Sequence, residues 1–311
     1  MTTTRRRFLT LAATITATAA VAKPILPGQA APNRLVISAN QYNWITFYGR
    51  AGKTWMADPD ACLAEYAQTG LTAFEPAFNT ADEVTKLAPY LKKYALSMPS
   101  LYVGSALHRA EDGPKSIETI LQIADIAKPL GTRIIVSNPS PIKWGGIENK
   151  TDTELTTQAQ NLDKLGSELR QRGLTLAYHT HDVELRAGAR EFHHSLLATD
   201  PKNVSLCLDA HWVYRGAGNS QVALFDVVKL YGKRIVEVHL RQSRNQIWTE
   251  TFTADGDIDY PRLARYLKSL GLKPQLVIEQ CLEEKTPIVL GAVEAHKQDL
   301  KAVSAVFGGL L

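Results

Sequence analysis

Short runs rich in aliphatic and β-branched residues recur along the chain at 35–39, 73–76, 97–103, 133–137, 174–179, 204–209, 235–240 and 276–279. Between them lie longer stretches in which apolar residues return every three to four positions, as at 58–69, 117–129, 154–172 and 260–270. The first pattern reads as strands and the second as helices that bury one stripe. Strands that alternate with helices predict parallel βα units, and eight such units close into one (β/α)8 TIM barrel, a single α/β domain. Gly70, Gly131, Gly173 and Gly271 each stand just before a strand, where a left-handed residue ends the preceding helix. The connection 241–259 is the longest and follows a strand end, where it would form a wall over a site.

The last four strand candidates finish in polar groups. The fifth ends in Tyr178-His179-Thr180-His181-Asp182, the sixth in Leu208-Asp209-Ala210-His211-Trp212, the seventh in Val238-His239-Leu240-Arg241 and the eighth in Val277-Ile278-Glu279-Gln280. Alternation along a strand puts His179 and His181 on one side. Charged groups after apolar runs are costly in a core unless paired or bound to a metal, and a barrel gathers its carboxyl strand ends in one place. Two imidazoles with two carboxylates suit Mn²⁺, Zn²⁺, Co²⁺ or Fe²⁺ more than Ca²⁺. Each residue alone has a plainer reading, a hydrogen-bonding histidine or a helix-capping aspartate. The set points to a divalent metal.

Composition narrows the partners. The 311 residues are 45% apolar, enough for a large core, and the net charge is +4, from 35 basic and 31 acidic residues. Several basic residues fall in the first few positions, so the remainder is close to neutral, with no basic face for nucleic acid and no like-charge run for a membrane surface. Cys62, Cys207 and Cys281 fit neither a CxxC spacing nor a disulfide framework and read as buried thiols. Thr4-Arg5-Arg6-Arg7-Phe8-Leu9 precedes an alanine-rich apolar stretch at 11–22, and small residues run to Ala31 before Pro32. This resembles a twin-arginine export signal, which makes 1–31 a signal peptide and 32–311 a periplasmic barrel with no membrane contact after cleavage. The stretch falls short of the ~18–20 strongly apolar residues of a comfortable span.

The motifs YHTHDVE at 178–184, LDAHWVYRGAG at 208–218, HLRQ at 239–242, GDIDY at 256–260 and VIEQ at 277–280 resemble the sugar phosphate isomerase/epimerase family of xylose isomerase-like barrels. The resemblance covers nearly the whole chain after the leader. It implies four metal ligands from strands five to eight, which fall on His179, Asp209, His239 and Glu279. It implies a small carbohydrate as partner, and it leaves a homo-oligomer open. Two positions depart from the family's epimerases: His179 stands where they usually have glutamate, and Trp212 where they often have histidine. In those epimerases the two ligand glutamates form the acid–base pair. Glu279, the surviving glutamate, is therefore the first candidate base, and His181, sharing the face of His179 and titrating near neutrality, is the second.

Further contacts are expected from other strand ends. Arg241 is placed to hold a developing oxyanion or a substrate hydroxyl, with an exposed surface arginine as the alternative. Glu75 ends the second strand and Asn138 the fourth, and Lys143 and Trp144 follow in a Gly-rich loop. Trp144, Trp212 and Trp248 offer faces to sugar rings. Glu250 and Asp257 lie in the long connection within reach of the site, although Asp257 and Asp259 read better as caps of the helix from Tyr260. His193 and His194 read as surface residues of an outer helix.

A divalent metal beside a carbonyl supports removal of the adjacent proton, a step shared by isomerisation, epimerisation and β-elimination. The first functional reading is a divalent-metal-dependent isomerase/epimerase-type enzyme acting on a carbohydrate or keto-sugar. A lyase cleaving 3-keto-glycosides by β-elimination is the alternative, and a non-catalytic metal- and sugar-binding barrel is the reading from another class. A phosphodiester-cleaving endonuclease would need a larger ligand cluster and a basic groove, and the sequence has neither. Export and the lack of a P-loop cradle argue against sugar phosphates.

Overall fold

Eight parallel strands follow one another around a barrel: β1 (Ile37–Asn40), β2 (Ala73–Glu75), β3 (Ser100–Ser105), β4 (Ile134–Pro139), β5 (Thr175–Tyr178), β6 (Val204–Asp209), β7 (Ile235–Leu240) and β8 (Gln275–Ile278). The computed structural model describes residues 35–310; the proposed signal at 1–31 lies outside them. Neighbours are joined by parallel ladders everywhere except between β2 and β3, with one register shift between β6 and β7 at Leu206 and Cys207. There the ring is drawn nearly shut by four separate backbone bonds. Phe74 N–H donates to Ser97 O at 2.9 Å and Ser97 N–H to Thr72 O at 2.9 Å; Tyr102 N–H donates to Pro76 O at 2.9 Å and Phe78 N–H to Tyr102 O at 3.0 Å. The expected strand 97–103 accordingly begins three residues later, because Pro99 has no N–H to contribute to a ladder.

Ten helices accompany the strands among the described residues: α1 (Gln41–Arg50), α2 (Pro59–Ala67), α3 (Ala81–Lys93), α4 (Gly113–Ala127), α5 (Asp152–Gln171), α6 (Arg186–Leu197), α7 (Ala210–Gly216), α8 (Gln221–Tyr231), α9 (Tyr260–Ser269) and α10 (Ala292–Phe307). Their starts are written in side chains. Thr80 with Glu83 and Thr151 with Glu154 form capping boxes that satisfy the first orphan N–H groups of α3 and α5. The four predicted stops adopt left-handed backbone, with φ of 82° at Gly70, 100° at Gly131, 72° at Gly173 and 68° at Gly271. Helix α5 buries Leu155, Leu162, Leu165 and Leu169 on one stripe, and Gly166 lets it approach the backbone of Asn203 closely; a Cβ there would collide with the Asn203 carbonyl. No described helix is long and apolar enough to cross a membrane.

The first and last helices are tied to the barrel by a polar contact. Asn43 of α1 donates from Nδ2 to Ile278 O at 2.9 Å and lies 3.3 Å from His296 Nε2 of α10. His296 Nδ1 meets Ala292 O at 2.7 Å, so Nδ1 carries the proton and Nε2 accepts. The ring stacks on Trp44 at 4.8 Å. Burial pushes the His296 pKa down to about 4, so the ring is neutral. The three cysteines are buried free thiols, as their spacing led us to expect.

Candidate metal centre

Parallel register sets the upper ends of the strands side by side. Asp209 on β6 pairs with His239 on β7, and His239 pairs with Val277, two residues before Glu279. His179 follows β5 directly. The four expected ligands therefore converge: their donor atoms all lie within 4.8 Å of one another, and all four residues are buried. His239 Nδ1 is 2.8 Å from Glu279 Oε2, while His179 Nε2 is 3.8 Å from both Asp209 Oδ2 and Glu279 Oε2. A distance of 3.8 Å is too long for a hydrogen bond. Neither ring nitrogen of His179 nor Oδ2 of Asp209 has a partner among the described residues. Such orphaned buried atoms cost about 1–3 kcal/mol each. Ligands ~2.0–2.2 Å from one ion sit about 3–4 Å from each other, and both 3.8 Å separations from His179 Nε2 fall in that range. The quartet can hold a divalent metal ion.

A second layer supports it. His239 Nε2 lies 3.1 Å from Glu237 Oε1 and 3.3 Å from Glu75 Oε2, so its proton is held on that side and Nδ1 is turned toward Glu279. Glu75 is fixed in turn by Asn40 Nδ2 at 2.6 Å and Ser100 Oγ at 3.2 Å. Burial acts to raise the Glu75 pKa, but His239 outweighs it and the carboxyl is held below its usual value. Burial, and then the charge of Glu75, push Glu237 up to about 8. One carboxyl of the pair carries the charge and the other keeps a proton. Glu75 is thus not the substrate contact expected from its strand-end position, because it faces inward from β2 and is fully engaged below the quartet. Sequence reasoning missed Glu237. It stands two residues before His239, and alternation alone puts both on one side of the strand.

Above the quartet opens a cavity of about 460 Å³, lined by Tyr42, Tyr102, Trp144, His181, Trp212, Arg241, Trp248 and Glu279 among others. That is within the ~300–1,000 Å³ of ordinary ligand pockets. Arg241 is 1% exposed, which rules out the surface alternative. Its Nε donates to Glu279 O at 2.7 Å, its Nη2 lies 3.2 Å from Glu279 Oε1, and its guanidinium packs on the rings of Trp248 and Trp212 at 4.2 and 5.0 Å. Nη1 has no partner among the described residues. Burial favours a raised pKa for Glu279, but Arg241 and His239 prevail and hold the carboxyl well below the carboxylate range. Both its oxygens are engaged.

His181 lies between Trp144 and Trp212, at centroid distances of 4.9 and 5.4 Å, and its Nδ1 has no partner among the described residues. Burial first, and then the charge of His179, push its pKa down to about 3, so it is a neutral imidazole and does not titrate near neutrality as expected. Its backbone N–H donates to Glu184 Oε2 at 2.7 Å. Asn138 bridges Glu184 Oε1 and His179 O at 2.9 and 3.0 Å, and so braces the end of β5.

The long connection does wall the site. Its residues Ser243–Arg244 and Ile247–Trp248 form a small hairpin that brings Trp248 to the cavity. Asp257 holds this hairpin through Ser243 Oγ at 2.6 Å and the N–H of Gln246 at 2.6 Å, so only Asp259 caps α9, through Arg262 N–H at 2.8 Å. Glu250 is drawn away from the site by Arg50 at 2.6 Å and the N–H groups of Val289 and Leu290. His193 is half-buried rather than at the surface, with Nδ1 2.7 Å from Tyr231 Oη, and His194 is half-buried beside it.

A family described as xylose isomerase-like TIM barrel matches residues 63–303. The inosose dehydratase of Mesomycoplasma hyopneumoniae is 26% identical over 248 residues, covering 71% of this chain and 80% of that protein. Among solved structures, a sugar phosphate isomerase/epimerase from Parabacteroides distasonis is similar with a TM-score of 0.67 at 17% identity, covering 91% of this chain and 96% of that one. An L-ribulose 3-epimerase gives a TM-score of 0.65 at 15% identity, with 89% and 96% covered. At these identities the structural likeness speaks for the fold.

Proposed function

The chain belongs to the xylose isomerase-like TIM barrel family, and from this we propose that it is an enzyme that removes the proton beside a carbonyl of a carbohydrate or keto-sugar. One observation carries the reading: a buried quartet with unsatisfied His179 and Asp209 atoms stands at the floor of a sugar-sized, tryptophan-lined cavity. His179, Asp209, His239 and Glu279 would hold the metal. When bound, a divalent metal supplies a Lewis acid that withdraws electrons from the carbonyl and acidifies the neighbouring C–H.

The geometry favours His181 over Glu279 as the proton acceptor. Both oxygens of Glu279 are occupied, whereas the neutral ring of His181 borders the cavity and is held between two tryptophans. The guanidinium of Arg241 lines the same cavity and suits the oxygen on which negative charge develops. As the C–H proton passes to His181, its electron pair forms a carbon–carbon double bond. The carbonyl electrons move onto its oxygen, and on their return they re-form the carbonyl, make the double bond to the next carbon and expel its oxygen, which takes the proton held by His181 and leaves as an alcohol or water; otherwise a proton returns on the other face. Epimerisation needs a second acid on that face, and His179 stands where the family's epimerases place a glutamate. Elimination is therefore the outcome we favour, in keeping with a relative named a dehydratase. The twin-arginine-like leader supports a periplasmic enzyme and a non-phosphorylated substrate.

The metal-loaded protein should exchange the proton beside the carbonyl with solvent deuterium when given 3-keto-glucosides, and should release their leaving group. His181→Gln should lose about 10²–10⁴ of the rate while keeping its metal. Unchanged turnover in that variant would return the base role to Glu279. Full metal content without exchange on any keto-sugar would leave the barrel as a binding protein.

A further inference from the structure

A second cavity, of about 590 Å³, lies against the first on the side of β2 and α3. Gln41, Ile45 and Ala77 line both, so the two cavities adjoin. The second compartment has an aromatic lining that includes Trp55 and Tyr90, with the amides of Gln41 and Asn79 at its edge. Trp55 is 8% exposed, and its indole N–H has no partner among the described residues. Flat apolar faces interleaved with planar amides suit a sugar ring, whose C–H faces stack while its rim of hydroxyls forms hydrogen bonds.

We propose that this compartment is a subsite for a second sugar ring, so that the substrate is a disaccharide whose reacting ring sits over the quartet and whose leaving ring lies against Trp55 and Tyr90. The inference rests on the carbohydrate reading above and deepens it. Either compartment alone is large enough for one ring, and Ala77, with its small side chain, stands between them.

The test separates binding from reaction. Unoxidised glucose disaccharides of several linkages, which lack the carbonyl and cannot react, are titrated calorimetrically into the metal-loaded protein beside methyl glucoside. At least one disaccharide should bind about two- to tenfold more tightly, the range expected of one aromatic stacking contact. Tyr90→Ala removes that face, and Asn79→Trp fills the compartment from an exposed position whose backbone, not its side chain, serves the start of α3. Both variants should abolish the preference and leave methyl glucoside affinity within about twofold. No preference in the wild type, or a preference that survives both variants, would overturn the subsite. If the preference behaves as expected but no keto-sugar exchanges deuterium, the subsite stands and the proposed reaction falls. If exchange occurs without any preference, the reverse holds.

Discussion

Replacing Glu75 by glutamine tests whether the layer beneath the quartet governs the metal. The substitution keeps shape and volume but removes the charge that faces His239 Nε2 at 3.3 Å. Asn40 can still donate to the side-chain oxygen of a glutamine, and the Ser100 hydroxyl can turn to accept from its amide, so the side chain stays in place. What is lost is the carboxylate that holds the imidazole proton on Nε2 and keeps Nδ1 free for the metal. Loss of such an outer partner weakens metal affinity about 10- to 100-fold, or ~1.4–2.7 kcal/mol. The assay is competition with a chromophoric chelator for Zn²⁺ or Mn²⁺ at fixed pH, with circular dichroism to confirm the fold. Ser100→Ala is the control, since it removes only a 3.2 Å contact to the far oxygen of Glu75. It should cost about 0.5–1.5 kcal/mol of stability and leave metal affinity within about twofold. A Glu75→Gln dissociation constant equal to that of wild type would refute the supporting role.

Three further outcomes follow from the same contacts. His179→Ala and Asp209→Ala should each weaken metal binding by more than the ~100-fold of an outer partner, and full metal content by mass spectrometry in both would dismantle the site. His296 has a folded pKa of about 4 against an ordinary 6.5, so the unfolded chain binds more protons in that window; its contribution to stability is whole above pH 6.5 and should fall by about 2 kcal/mol between pH 7.5 and pH 5. Denaturant titrations of His296→Gln should show that much less loss over the same interval, and parallel curves would contradict the linkage. Gly166→Ala should destabilise by about 1–3 kcal/mol through collision with the Asn203 backbone, whereas Gly49→Ala, with open space around its Cβ, should stabilise by about 0.4–1 kcal/mol.

The barrel was legible because its signals are local. Alternating runs and the glycines at 70, 131, 173 and 271 each report their own neighbourhood, and eight units leave one way to close. The quartet was legible for a related reason: strand ends in a barrel meet, so polar residues after four apolar runs had to share a place. What stayed hidden depends on distance across the interior. Glu75 looked like a rim residue because nothing near it in sequence reveals His239, 3.3 Å away in space. Glu237 went unread because its partners Glu75 and His239 meet it only in the folded barrel. His181 carried the ordinary histidine pKa until burial and His179 were known. Arg241 was undecided for the same reason, since its partner Glu279 comes from another strand.

The loosely drawn junction between β2 and β3 divides the barrel into two kinds of territory. The ligands hang on β5 to β8, where parallel ladders lock each strand to the next, and the cleft widens over β2 and α3, where four separate bonds do that work. Changes in loop length at the junction can reshape the cleft without re-registering the strands that carry the quartet. Descendants of this barrel could therefore acquire new substrates by altering residues 76–90 and keep their chemistry by conserving 179–279. A library aimed at new specificity should be built on the first segment and spare the second.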